Sequence, residues 1–169
     1  MNRVFSIFFL SIFLLMFTKS TLTQTFPYEE YKPRTLSELI AMDESGSENI
    51  PKDKGQMIIH AKPFYSAVRV KFIGTSKPVS KEEIDYLKLW QGSLGYDAEI
   101  LKFYENKYLF KECDKEYWIP VQKQVAAYFP KELKEGDMIT LYLMYPGGLK
   151  LKPTDNWNFL FLVNEFQKY

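Results

Sequence analysis

The side chains most often used in catalysis are scarce in this chain, which has one histidine, His60, and one cysteine, Cys113. A Ser-His-Asp site needs the histidine beside a nucleophile and an orienting acid. His60 instead follows two isoleucines in a strand-like run, and no G-x-S-x-G sequence occurs. Zinc sites draw three or four ligands from Cys, His and carboxylates, and the phosphate-binding sequences GxGxxG and GxxxxGK[ST] are also missing. We therefore expect no catalytic triad, metal or cofactor.

Paired carboxylates are the remaining route to hydrolytic chemistry, because two acids held close together can cleave a glycosidic bond. Glu82 and Glu83 are better explained as negative charge at a helix N-terminus. Asp97 and Glu99 would point the same way on an extended strand, so an exported carboxylate-dependent hydrolase is one alternative function. The acidic stretch 43–54 does not fit a calcium-binding EF-hand, because its glycine and its last residue have the wrong positions.

Aromatic side chains are abundant and indicate a binding surface instead. The chain has 14 Phe, 12 Tyr and 3 Trp, and aromatic residues with polar tips are enriched at interfaces. Most of them must fill the core, so we expect only a minority on an exposed site. The candidates for stacking on a sugar, a peptide or an apolar ligand are Trp90, Tyr96, Trp118, Tyr145 and Trp157, with Tyr117 beside Trp118.

The N-terminus has the layout of a secretory signal peptide, with an early cation at Arg3, an apolar run over residues 4–17 and a polar exit. A transmembrane helix needs about 20 apolar residues, so cleavage is favoured over an uncleaved anchor. Thr21 and Thr23 predict a mature start at Gln24, and cleavage after Ser20 is the second option.

The predicted organisation has three parts: a cleaved signal peptide at 1–23, an irregular segment with a short helix at 24–55, and a single β-rich domain at 56–169. Loss of residues 1–23 leaves 20 cations against 21 acids. This balance argues against nucleic-acid binding, which depends on clustered Lys and Arg. One cysteine can form no internal disulfide, which favours a bacterial periplasmic or secreted protein that folds by its core alone.

Two capping boxes predict helices. Thr35 with Glu38 begins a short helix over 35–42, and Ser80 with Glu83 begins the main helix, which ends near Gly92. Alternation of apolar and polar residues predicts strands at 56–62 and 66–74, joined by a short connection at 63–65, and a hairpin around Cys113.

The stretch EGDMITLYLMYPGG, residues 135–148, predicts a turn, a core strand that is apolar on both faces, and a glycine hairpin. Because most strands are neighbours in sequence, the predicted fold class is mainly β. We expect an antiparallel sheet curled into a small barrel or half-barrel, covered by one main helix near 80–91. The alternative is an open α+β sheet with helices on one face.

These patterns favour an exported, soluble, non-catalytic binding or interaction protein of the cell envelope or extracellular space. Its expected partner is a protein, a peptide or a glycan, and no stable membrane span is expected after signal cleavage. Besides the hydrolase, the other alternative is a structural or assembly component that pairs through a sheet edge.

Overall fold

The computed structural model describes residues 26–47, 55–95 and 98–169. The predicted signal peptide, Tyr96 and Asp97 lie outside the described residues. The strands are β1 (Lys32–Pro33), β2 (Gln56–Pro78), β3 (Asn106–Glu112), β4 (Lys115–Val121), β5 (Met138–Lys150) and β6 (Asn158–Lys168). The helices are α1 (Leu36–Ser47), α2 (Lys81–Ser93), α3 (Lys123–Ala126) and α4 (Phe129–Glu132), with 3₁₀ turns at Tyr28–Glu30 and Ala98–Phe103.

Five strands form a closed barrel. Their order is β2-β3-β4-β6-β5, and β5 pairs again with β2. All pairs in this ring are antiparallel except β4 with β6, which run parallel and are paired at one position, Val121 opposite Val163. The short β1 adds to β2 from outside the ring. The prediction of a β-rich small barrel with a covering helix is therefore confirmed, and the open-sheet alternative is wrong.

β2 is one continuous strand of 23 residues. The sequence predicts two strands separated at 63–65, and that prediction is wrong. The register of β2 against β5 shifts between Ile59 and Phe64, so the chain bends at this place without turning back. β2 pairs with β5 along most of its length and with β3 at its end.

The predicted glycine hairpin after Tyr145 is also wrong, because Gly147 and Gly148 lie inside β5. Gly147 has a φ of +127°, and a Cβ at this position would lie 2.1 Å from the carbonyl oxygen of Ile58 and 2.7 Å from the Tyr86 hydroxyl. The glycine is required by this close approach. The chain turns back only after residue 150, between β5 and β6.

The barrel interior is apolar, and residues of α1, α3 and α4 contribute to its core. Leu36 and Leu39 of α1 are fully buried in the same core as the inward residues of the strands, among them Val68, Leu141 and Val163. The sequence predicts this helix, and both hydrogen bonds of its capping box are present between Thr35 and Glu38, at 2.7 and 3.0 Å.

A further acid holds α1 in place. The carboxylate of Glu112, at the end of β3, accepts hydrogen bonds from the Leu36 N–H at 2.7 Å and the Ser37 N–H at 3.0 Å. The Ser37 hydroxyl donates to the same carboxylate at 3.0 Å. Because the first N–H groups of a helix have no partner within the helix, Glu112 fixes α1 to the barrel rim.

α2 covers the outside of the barrel. Tyr86, Leu87 and Trp90 pack against outward residues of β5 and β6, including Leu160 and Leu162, in a second core. Its capping box is formed, because Ser80 and Glu83 each accept from the backbone of the other. None of the helices in the described ranges has the length and apolar character needed to cross a bilayer.

Candidate functional site

Two of the predicted aromatic residues line one surface cleft, which we call the aromatic cleft. It has a volume of about 340 Å³ and is bordered by Trp118 and Trp157, with Tyr117 and Phe159 beside them. Both indoles are partly exposed. Pockets that hold small ligands usually have volumes of about 300–1,000 Å³, so the aromatic cleft is of a size to hold a small group.

The cleft lies in the barrel wall between β4 and β6. The cleft is lined by residues 116–118 of β4 and by residues 157–159 and 161 around the start of β6. Both segments come before the position at which the two strands pair, Val121 opposite Val163. Ile40 of α1 also lines the cleft. Within the range 98–169, no second pair joins these two strands, so the cleft follows from a barrel that is closed at one point.

A buried ion pair forms the floor of the cleft. The Lys107 ammonium lies 2.7 Å from both oxygens of the Glu83 carboxylate. The Ser80 N–H donates to the same carboxylate at 2.8 Å, and the Asn158 amide donates at 3.2 Å. Glu83 and Lys107 thus neutralise each other, and the floor is polar without carrying net charge.

The pKa of Glu83 is lowered from its ordinary value. Burial by itself raises this pKa, but hydrogen bonds from Lys107, the Ser80 N–H and Asn158, together with the positive charge of Lys107, outweigh that effect. The carboxylate is therefore held ionised, with its oxygens already engaged. It is unsuited to donate a proton as a general acid near neutral pH.

The two indoles are held by different contacts. The Lys77 ammonium lies over the Trp118 ring, 3.8 Å from its centroid. Trp157 stacks on Phe159 with 5.9 Å between ring centroids. Both rings are thereby oriented before any ligand arrives, which reduces the ordering that binding requires.

The other predicted aromatic residues do not share this surface. Trp90 is 3% exposed and Tyr145 is 0% exposed, so these two candidates do not belong to an exposed aromatic surface. Trp90 lies on the face of α2 that packs against the barrel, and Tyr145 belongs to the core of the barrel interior. Tyr96 lies outside the described residues.

Tyr145 belongs to a small polar cluster at the C-terminal part of α1. Its hydroxyl donates to Oδ2 of Asp43 at 2.6 Å. Oδ2 of Asp43 also lies 3.1 Å from Nε2 of His60. Burial and the bond to Asp43 raise the pKa of Tyr145. His60 therefore has an acid beside it, but the third group here is a phenol that stays protonated, not a nucleophile.

A second concavity lies beside the C-terminal half of α2, and we call it the helix groove. It has a volume of about 760 Å³ and is lined mainly by apolar side chains of α2, the bend of β2 and the 3₁₀ turn at Ala98–Phe103. Trp90 forms part of its wall, and its ring N–H donates to the His60 carbonyl at 3.0 Å.

The carboxylates proposed for hydrolysis are not brought together in the described residues. Glu99 is exposed and forms an ion pair with Lys102, and Asp97 lies outside the described residues. Glu82 is exposed at the start of α2, while Glu83 is buried in the floor of the cleft. Over 26–47, 55–95 and 98–169, no group of three or more His, Cys, Asp or Glu residues is placed to hold a metal.

Sequence reasoning missed the role of Glu83 and Lys107. Glu83 was explained by helix capping, which is correct but incomplete, because the same carboxylate also binds Lys107 from β3. A lysine within a strand gives no signal of such a partner 24 residues away.

The chain matches no protein family, no curated protein and no solved structure.

Proposed function

We propose that the protein is an exported, non-catalytic binding protein of the cell envelope or extracellular space that holds a glycan in the aromatic cleft. The observation that supports this proposal is the convergence of Trp118 and Trp157 on a cleft with a neutral polar floor. Rigid aromatic side chains supply large contact areas at low entropic cost, and a few polar groups fix the orientation of a ligand.

The chemistry of the cleft favours a neutral, hydroxyl-rich ligand over a charged or a purely apolar one. The floor adds no net charge for a charged ligand, because Lys107 and Glu83 are bound to each other, and the further charged residue of the lining, Glu116, is exposed to solvent. A purely apolar ligand would strip water from Asn158 and Glu116 at the lining without replacing their hydrogen bonds. A sugar ring has an apolar face for an indole and hydroxyls for the polar groups.

Titration with defined oligosaccharides tests the ligand class. We expect chitotetraose, cellotetraose or maltotetraose to change the tryptophan fluorescence of the mature protein. We also expect Trp118→Ala and Trp157→Ala each to weaken binding by about tenfold or more, since stacked aromatic anchors carry much of the energy of such sites. Tyr128→Ala is the matched control, because Tyr128 is an exposed aromatic that does not line the cleft.

Two results would contradict the proposal. One is the absence of binding to any of the three sugars and to a broader glycan array. The other is binding that survives both tryptophan substitutions while the variants keep the unfolding temperature of the parent protein.

The proposal of export depends on the sequence of residues 1–23 and has its own test. The described chain packs onto the barrel from Phe26, whose ring lies 5.7 Å from that of Tyr142, so a cut before Gln24 would remove no described contact. We expect mass spectrometry of the N-terminal peptide of the native protein to place its first residue at Gln24. A full-length chain in the cytosolic fraction would overturn this part of the proposal.

The hydrolase and the sheet-edge assembly component stay as alternatives. Product analysis of the sugars after incubation separates a hydrolase from a binding protein, since only a hydrolase shortens them.

Size-exclusion chromatography tests whether the protein assembles through a sheet edge. The exposed edge strand β1 has two residues, and one of them, Pro33, has no N–H to donate, so this edge offers little for strand pairing.

A further inference from the structure

The helix groove is the larger of the two concavities and is unrelated to the aromatic cleft. Its volume of about 760 Å³ falls in the range of small-molecule sites. Its wall includes the apolar or aromatic side chains of Trp90, Leu94, Ile100 and Met144. A space of this kind favours the apolar body of a small molecule, because filling it removes apolar surface from water.

Among the described residues of this wall, one buried polar side-chain atom has no hydrogen-bond partner. Gln91 is 3% exposed, and its Oε1 accepts no hydrogen bond in the described part of the chain. A buried acceptor without a partner destabilises the folded protein, because it loses its hydrogen bond to water and gains none in return. Native proteins contain few such atoms, and each of them calls for a physical explanation.

The neighbouring polar groups do not supply that partner. The ring N–H of Trp90, the residue before Gln91, donates to the carbonyl oxygen of His60 at 3.0 Å. The Ser93 hydroxyl donates to the carbonyl oxygen of Trp90 at 2.6 Å. Lys62 and Glu99 also line the groove, but both are exposed to solvent and mark its rim.

We propose that the helix groove binds a small apolar molecule carrying one hydroxyl group, with the alkyl body against Trp90 and Met144 and the hydroxyl donating to Oε1 of Gln91. The terminal torsion of a glutamine has a broad energy minimum, so a rotation of the carboxamide turns Oε1 toward the ligand. Binding then satisfies an acceptor that is unpaired in the free protein. The site therefore prefers an alcohol to an equally apolar molecule that lacks a donor.

The test compares two probes that differ in the donor, 1-octanol and 1-methoxyoctane. The mature full chain carrying Trp118→Phe and Trp157→Phe has Trp90 as its one tryptophan, so its fluorescence reports on the groove. We expect 1-octanol to bind roughly tenfold more tightly than the ether, which corresponds to one hydrogen bond to a buried acceptor.

Two variants connect this preference to the structure. Gln91→Met keeps the length of the side chain and removes the acceptor, so we expect it to bind both probes equally and to unfold at the same or a higher temperature. Ala61→Leu adds volume at an exposed position in the lining, and we expect it to weaken both probes alike.

Equal affinity of the parent protein for the alcohol and the ether would overturn the proposal, as would the absence of binding by either probe. It would also be overturned if Gln91→Met retained the tenfold preference. Should Gln91→Met fail to fold, the comparison of the two probes on the parent protein and on Ala61→Leu still decides the question.

Discussion

Glu83 shows how one side chain can have a local and a distant role. Locally it completes the capping box of α2 by accepting from the Ser80 N–H. At a distance it binds Lys107 of β3 and the amide of Asn158 at the start of β6. The same carboxylate therefore fixes the orientation of a helix and forms the floor of the aromatic cleft.

Substitution of Lys107, the partner of Glu83, should lower the stability of the folded protein. In Lys107→Met the carboxylate stays buried and loses its cation, so we expect a loss of about 3–5 kcal/mol in the free energy of unfolding. Urea denaturation followed by circular dichroism measures it. The double variant Glu83→Gln/Lys107→Met removes both charges and should regain a large part of the loss. A single variant as stable as the parent would contradict this account of the floor.

The lowered pKa of Glu83 also gives a pH dependence with a defined sign. An acid whose pKa is lower in the folded protein than in the unfolded chain adds stability above the unfolded pKa, roughly 4.3 for Glu. That contribution disappears as the pH falls through the folded value. We expect Glu83→Gln to flatten the acid limb of the stability curve below about pH 4.3. Unfolding temperatures measured across the acid range check this, and an acid limb as steep as that of the parent would oppose it.

At the scale of elements, β5 carries the sharpest departure from the sequence prediction. A proline and two glycines in a row are typical of a turn, and here they continue a strand. The reason is tertiary packing, because Gly147 lies against the Ile58 carbonyl of β2 and the Tyr86 hydroxyl of α2, and a Cβ would collide with both. Tyr86 donates to the Ile58 and Pro146 carbonyls at 2.7 and 3.0 Å, which ties the helix to both strands at this point.

Gly147→Ala should therefore be strongly destabilising. The new Cβ would meet backbone atoms and would require a φ that alanine avoids, so we expect a loss of about 3 kcal/mol or more. Gly92→Ala is the matched control, since its Cβ would have no atom within 4 Å and it should gain about 0.5–1 kcal/mol of helix stability. Thermal unfolding of both variants gives the comparison. Equal melting temperatures for the two would argue against the close approach.

The attachment of α1 gives a second prediction at this scale. Glu112→Ala removes the acceptor for two backbone N–H groups and a hydroxyl, so we expect faster amide exchange over residues 36–47 and a loss of about 2 kcal/mol. Hydrogen–deuterium exchange with mass spectrometry measures the local effect.

Glu105→Ala is the control for α1, because it removes an exposed ion pair with Lys123. Such pairs contribute about 0–1 kcal/mol, and exchange over residues 36–47 should not change. If α1 were equally protected in Glu112→Ala and in the parent, the assigned role of Glu112 would be wrong.

The sequence predicts local structure well and long-range closure poorly. Both capping boxes and the turn at Cys113 can be read directly, because they depend on residues a few positions apart. The barrel follows from alternating patterns, but the pairing of β4 with β6 does not, since it depends on one contact between distant residues. For the same reason Trp118 and Trp157 can be named as candidates, while their meeting in one cleft cannot be predicted.

For the whole molecule, β6 decides whether the barrel exists. It pairs with β5 along its length and meets β4 on the other side. We expect deletion of residues 158–169 to abolish cooperative unfolding, because two edges of the sheet would lose their partner and the apolar interior would be open. Circular dichroism during heating shows this as the absence of a sigmoidal transition.

Deletion of Tyr169 alone is the control for that truncation. It removes a hydrogen bond to Thr140 and a ring that lies 4.3 Å from the Arg69 guanidinium, so we expect a loss of about 1 kcal/mol with the transition preserved. A sharp transition in the longer truncation would show that the first four barrel strands fold without β6.

The contact between α1 and Glu112 also constrains when the protein can fold during synthesis. The Leu36 N–H and its acceptor are separated by 76 positions in the chain, and β6, which closes the ring, follows the other described strands in the chain. In a chain that emerges with its N-terminus first, from a ribosome or through a translocation pore, α1 is therefore available before the barrel into which it packs is complete. The apolar segments of the barrel stay exposed until β6 has emerged. We therefore expect the barrel to fold in a single late event after β6 is released, with a need for protection from aggregation until then.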